Sequence, residues 1–150
     1  MQNRGDDDKV TVSGINKAYK VLLFVFYMLV KEVMVDPFVI EKDIKLVEAA
    51  KLMNQHNTDC LIFMSGDKVK GIITERDLLK NFNDKKKVSQ AMTKEVITID
   101  PDKDLNEALA LMNENKIKRL PVVMKDELIG IITVTDLLAN ADELDESFFF

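Results

Sequence analysis

Apolar residues recur along this chain in two alternating rhythms. From Asp43 to His56 the rhythm is helical: Leu46, Ala49, Ala50 and Met53 stand at i, i+3, i+4 and i+7, on one helix face. A continuous run follows, Leu61-Ile62-Phe63-Met64, then the polar break Ser65-Gly66-Asp67-Lys68, then a second run that reaches Gly71-Ile72-Ile73. Two short apolar runs around a polar break predict a β-hairpin. The same order returns later. Leu105, Ala108, Leu109 and Met112 repeat the helix face, Leu120-Pro121-Val122-Val123-Met124 the strand, and Lys125-Asp126-Glu127 the break. Asp104 and Glu107 supply a start signal for the second helix. A short strand is predicted ahead of each helix, at Phe38-Val39-Ile40 and at Val96-Ile97-Thr98-Ile99.

The duplication is most legible where the second strand meets the next helix. GIITERDLL (Gly71–Leu79) and GIITVTDLL (Gly130–Leu138) agree at seven of nine positions. Gly71 and Gly130 are 59 residues apart, as are Leu46 and Leu105. Val33-Met34 and Ala91-Met92 correspond at a spacing of 58, so the second copy gains one residue before its helix. The chain reads as α+β, two tandem β-α-β-β-α repeats. One such unit leaves a sheet face uncovered; two packed with pseudo-twofold symmetry share a core. The expected divisions are an N-terminal tail and apolar segment (1–29), a first repeat (30–80), a linker (81–87), a second repeat (88–140) and an acidic, then aromatic, tail (141–150) ending in Phe148-Phe149-Phe150.

Composition narrows the function classes. The 150 residues are 47% hydrophobic and 31% charged, ordinary for a globular chain. Net charge is −5 and the pI is near 5.0, against the basic face of a nucleic-acid binder. Lys85-Lys86-Lys87 is a basic cluster too small to change that, and reads as solvated linker. Cys60 is the sole cysteine, inside an apolar run, and is expected to be a core residue. His56 is the sole histidine, so neither a metal site of His and Cys nor a Cys–His pair is expected. Met1 to Lys20 lacks a secretory pattern, and a cytoplasmic location is expected. Val21 to Val30 is apolar; as a helix it would extend only ~15 Å, about half a hydrocarbon core. It is expected to bury against the module or a partner subunit rather than to span a membrane.

The repeated phrase admits two uses. Thr74 with Asp77, three residues on, forms a capping box with Asp in the usual Glu position, and Ile73 and Leu78 form a staple. On that reading it is only a strand-to-helix turn. The same turn exposes N–H groups and a rigid rim. A carboxylate there can accept both hydrogens of a ribose cis-diol, at about 1.5–3 kcal/mol per charge-assisted bond. A phosphate must lie further along, by a cation; Arg76, Lys118 and Arg119 are candidates. The strands around Val39 and Ile97 offer an apolar slot for a base.

GIITERD and GIITVTD, the run Lys118-Arg119-Leu120-Pro121-Val122-Val123, Met34 and Met92, and the repeat order together resemble a CBS-domain pair, the tandem module named after cystathionine β-synthase. The resemblance covers about Val30 to Asn140. It implies a regulatory module without obligatory cofactor that binds an adenosine ligand (AMP, ADP, ATP or S-adenosylmethionine) in two clefts, each built from both repeats, and that associates into flat homodimers. One cleft would combine Thr133, Thr135 and Asp136 with Val39 and Thr58, and with Lys118 and Arg119 near the phosphate. The other would combine Thr74, Arg76 and Asp77 with Ile97 and Ile117. Asp59-Cys60 stands where the second repeat has Lys118-Arg119, so the Asp136 cleft is expected to hold anions better, and Asp136→Ala to lose more binding than Asp77→Ala.

With no attached enzyme, channel or transporter in view, regulation is expected in trans, on an unidentified protein. The alternative is a dimeric interaction module with no nucleotide ligand. An enzyme is not expected: no nucleophile–base pair, metal cluster or phosphate loop is visible.

Overall fold

Two hairpins form the centre of the molecule, and the chain reaches them in the predicted order. In the computed structural model the first half runs α1 (Val30–Val33), β1 (Val39–Ile40), α2 (Leu46–His56), β2 (Cys60–Ser65), β3 (Lys68–Thr74) and α3 (Glu75–Lys80). The second runs α4 (Val88–Ala91), α5 (Leu105–Asn115), β4 (Arg119–Met124), β5 (Glu127–Thr133) and α6 (Val134–Glu143). The structure describes residues 19, 22, 23, 26–81 and 85–143, the last three by backbone alone. Readings that fall on Phe148–Phe150, on 1–18 and on 82–84 lie outside the described residues.

Strand β1 pairs parallel with β2, and β2 antiparallel with β3; β4 pairs antiparallel with β5. Alternation along β2 divides its side chains between two environments. Leu61 packs under the helices with Leu46, Ala49 and Met53. Cys60, Ile62 and Met64 point the other way, onto Ile72 and Ile131, where the two repeats meet. Both faces are buried, which is why the run reads as continuously apolar.

The strand expected at Val96–Ile99 is absent; only Ile99 makes a parallel bridge, to Val122. The cause is one residue. In the first repeat the Ile62 N–H donates to the Phe38 carbonyl at 2.9 Å. The equivalent position in the second repeat is Pro121, which has no N–H to donate. The first long helix starts at Leu46 rather than Asp43, its N-cap Lys45 N–H held by Glu48 at 2.9 Å. Asp104 caps α5 as expected, accepting from the Glu107 N–H at 2.9 Å.

The arms that precede the repeats are crossed. Val30 and Val33 of α1 lie in the core of the second repeat, with Leu105, Ala108, Leu120 and Ile132. Val88 of α4 lies in the core of the first, with Leu46, Ala49, Leu61 and Ile73. Backbone bonds fix the exchange: Val30 N–H to Lys103 C=O at 2.8 Å, and Val88 N–H to Ile44 C=O at 2.9 Å. Beyond the arms, Val35 bridges to Ile131 and Thr93 to Ile72, each adding an edge to the other repeat's hairpin. Side chains clasp the same joints. The Ser89 hydroxyl and N–H donate to Asp43 at 2.7 and 2.9 Å, and Lys31 pairs with Asp102 at 2.7 Å. Burial pushes the Asp43 carboxyl up, but the two Ser89 bonds and nearby Lys87 outweigh it and leave it below its ordinary value.

The end of the apolar segment belongs to this arrangement. Met28 packs against the second core, whereas Leu22, Phe26 and Tyr27 are exposed. Among the described residues no helix is long and apolar enough to cross a membrane.

Candidate functional site

Both copies of the phrase fold into the expected strand-to-helix turn. Thr74 ends β3 and caps α3; its Oγ1 accepts from the Asp77 N–H at 3.4 Å. The Thr74 N–H and hydroxyl donate back to Asp77 Oδ2 at 3.0 and 2.7 Å. At the second turn the Thr133 hydroxyl donates to Asp136 Oδ2 at 2.5 Å and the Asp136 N–H to Thr133 Oγ1 at 3.1 Å. Ile73 and Leu78 join the same core, as a staple requires. Asn81 and Asn140, again 59 apart, donate to the Asp77 and Asp136 carbonyls. Each cap uses Oδ2. No bond to Oδ1 of either aspartate is made by a described residue, so capping leaves one oxygen of each carboxylate without such a partner.

A cleft of about 660 Å³ opens beside the first turn. It brings together Thr74, Arg76 and Asp77 from one repeat with Ile97 and Ile117 from the other. Lys118 and Arg119, expected beside Asp136, also line it. The Lys118 backbone also meets the second turn, its carbonyl accepting from the Val134 N–H at 3.0 Å. Lys80 and Lys116 add to the positive side, and Thr93, Val96 and Pro121 to the wall. Helix boundaries hide these residues in the sequence: Lys116 closes α5 at a positive φ of 53°, the position that Asn57 takes in α2.

Neither the hollow bordered by Val39 nor the groove bordered by Thr58 includes Thr133, Thr135 or Asp136. Val39 borders a hollow at the hairpin-turn end, with Asp36, Gly66 and Glu127. Thr58 borders a groove of about 550 Å³ between α2 and α3, lined by Leu46, Val47, Ala50, Met53, Leu78 and Leu79.

Electrostatics in the 660 Å³ cleft centre on Arg119. Its Nη2 is ion-paired with Asp59 Oδ2, and its Nε is buried without a hydrogen bond to a described residue. Arg76, Lys80, Lys116 and Lys118 make no ion pair with a described residue. Asp59, Glu75 and Glu95 supply opposing charge. Cys60, beside this pair, is buried as expected; burial, opposed by Arg119, pushes its thiol up to about 11. A group that remains protonated to that pH is a poor nucleophile. Among the described residues no three His, Cys, Asp or Glu side chains are placed to hold a metal ion.

Comparison with known proteins gives consistent results. The CBS domain pattern matches twice, over residues 30–84 and 88–143. The CBS domain-containing protein YhcV of Bacillus subtilis is 34% identical over 98 residues, which are 62% of this chain and 70% of that protein. The inosine-5'-monophosphate dehydrogenase of Methanocaldococcus jannaschii is 41% identical over 106 residues; the match spans 69% of this chain but only 21% of the dehydrogenase. Among solved structures, the CBS domain pair of protein MJ0100, in complex with 5'-methylthioadenosine and S-adenosyl-L-methionine, superposes with a TM-score of 0.71 at 31% identity, covering 75% of this chain and 94% of that one. Two consecutive matches, the duplicated turn and the likeness to a solved pair lead to one conclusion: this chain belongs to the CBS-domain family and is a tandem CBS pair.

Proposed function

We propose that this pair is a non-enzymatic regulatory module that binds an adenosine ligand in the cleft shared by Thr74, Asp77, Ile97 and Ile117, and signals its occupancy to another protein in the cytoplasm. One observation carries the reading. Asp77, whose cap leaves Oδ1 without a hydrogen bond to a described residue, lines a cleft that also holds Ile97, Ile117 and four cations without ion pairs among the described residues. Ribose hydroxyls fit the carboxylate, a base fits between Ile97 and Ile117, and a phosphate fits Lys118, Arg119 and Arg76. The MJ0100 pair, which holds adenosine compounds, supports the ligand class. The charges favour AMP, ADP or ATP over S-adenosylmethionine here, and favour this cleft over that of Thr133, Thr135 and Asp136.

Calorimetric titration with the four ligands tests this. Asp77→Ala should weaken binding at least tenfold, from the loss of ~1.5–3 kcal/mol per charge-assisted bond. Asp136→Ala should weaken it less. Equal losses would remove the asymmetry.

The second reading, an interaction module with empty clefts, draws on the apolar groove between α2 and α3. Leu79 on its border and Leu138, its counterpart, are 77% and 59% exposed. A homodimer would cover them. Light scattering that shows a dimer, with no heat from any ligand, would favour that reading.

A further inference from the structure

Among the described residues, Asp59 is the one acidic residue of the cleft that holds a cation from the other repeat. Its pseudo-symmetric counterpart is Lys118, so the ion pair with Arg119 has no equivalent on the other side of the molecule. The partners are unequally placed. The Arg119 side chain is 16% exposed and the Asp59 side chain 51%. The carboxylate is the solvated partner and the guanidinium the enclosed one.

The atoms involved give the pair its meaning. Nε and Nη2 share the side edge of a guanidinium, the edge that takes two oxygens of a phosphate or carboxylate at once. Asp59 accepts from Nη2, while Nε is buried without a hydrogen bond to a described residue. A ligand phosphate that pairs with Arg119 must compete with Asp59 for the guanidinium and meets a carboxylate in the same cleft. A neutral adenosine compound makes no such exchange.

We propose that Asp59 is the specificity-determining residue of the Thr74–Asp77 cleft: by holding Arg119 it restrains the cleft's preference for phosphate-bearing ligands over neutral ones. This rests on the reading of the cleft as an adenosine site. AMP and 5'-methylthioadenosine are suitable probes, since they share the nucleoside and differ in the phosphate. Both are titrated by calorimetry into the unmodified full chain, Asp59→Asn, Arg119→Gln and the double variant, with a melting scan on each protein.

In Asp59→Asn the affinity ratio of AMP to methylthioadenosine should rise about tenfold. In Arg119→Gln the ratio should fall, and in the double variant the Asp59→Asn gain should vanish. A ratio unchanged by Asp59→Asn would overturn the proposal. So would a gain that persists without Arg119, which would show a general field effect of the carboxylate. Absence of binding by both probes in all four folded proteins would overturn the reading of the site, and the proposal with it.

Discussion

A methionine lies over each glycine of the repeated phrase, and the two contacts differ in one atom. A Cβ on Gly71 would meet Met92 Sδ, Met92 Cγ at 2.8 Å and the Thr93 carbonyl oxygen at 2.9 Å. On Gly130 the three nearest atoms all belong to the Met34 side chain, with Sδ at 2.7 Å. A thioether side chain adapts. The Thr93 carbonyl belongs to a segment bonded to Ile72 in both directions, and moves only if that bridge does. Gly71→Ala should therefore lower stability by about 1–3 kcal/mol, and Gly130→Ala by less, measured as urea midpoints. Equal losses would refute the backbone contact. The glycines, the methionines and the Thr–Asp turns are all legible in the sequence. Which methionine covers which glycine is not, because a repeat shows which residues correspond and not which copy packs on which. The same limit applies to which cleft Lys118 and Arg119 serve.

The elements follow their predicted rhythms where local chemistry decides, and depart where a partner decides. Both hairpins close through two-residue loops, Ser65 opposite Lys68 and Met124 opposite Glu127. The first loop has positive φ at Gly66, a residue suited to it. The second has positive φ at Lys125 (49°) and Asp126 (67°), as a type I′ turn does. Lysine tolerates that region poorly. Replacing Lys125-Asp126 by Asn-Gly should raise stability by about 1 kcal/mol, seen as a melting point several degrees higher. An unchanged melting point would show that the loop is not strained. The strand missing at Val96–Ile99 is a converse case. Its own residues suit a strand, but the decisive one, Pro121, lies in its neighbour, and periodicity along one segment carries no information about the donor that faces it.

At the scale of the molecule, the crossed arms make each repeat incomplete alone. The first lacks Val88 and the second lacks Val30 and Val33 unless the other half is present. Residues 1–84 and 85–150, produced separately, should each fail to melt cooperatively, and a mixture should recover a single transition. A cooperative melt from either piece alone would show that its arm is dispensable. The same exchange governs the order of events during synthesis. Val30 leaves the ribosome early, yet its seat is not finished until Leu137 has been made. At 5–20 residues per second, translation keeps that short apolar helix waiting for roughly 5–20 s. The first part of the module to be made is thus among the last to be seated, and nascent chains should offer chaperones this arm before any other surface of the folded pair exists.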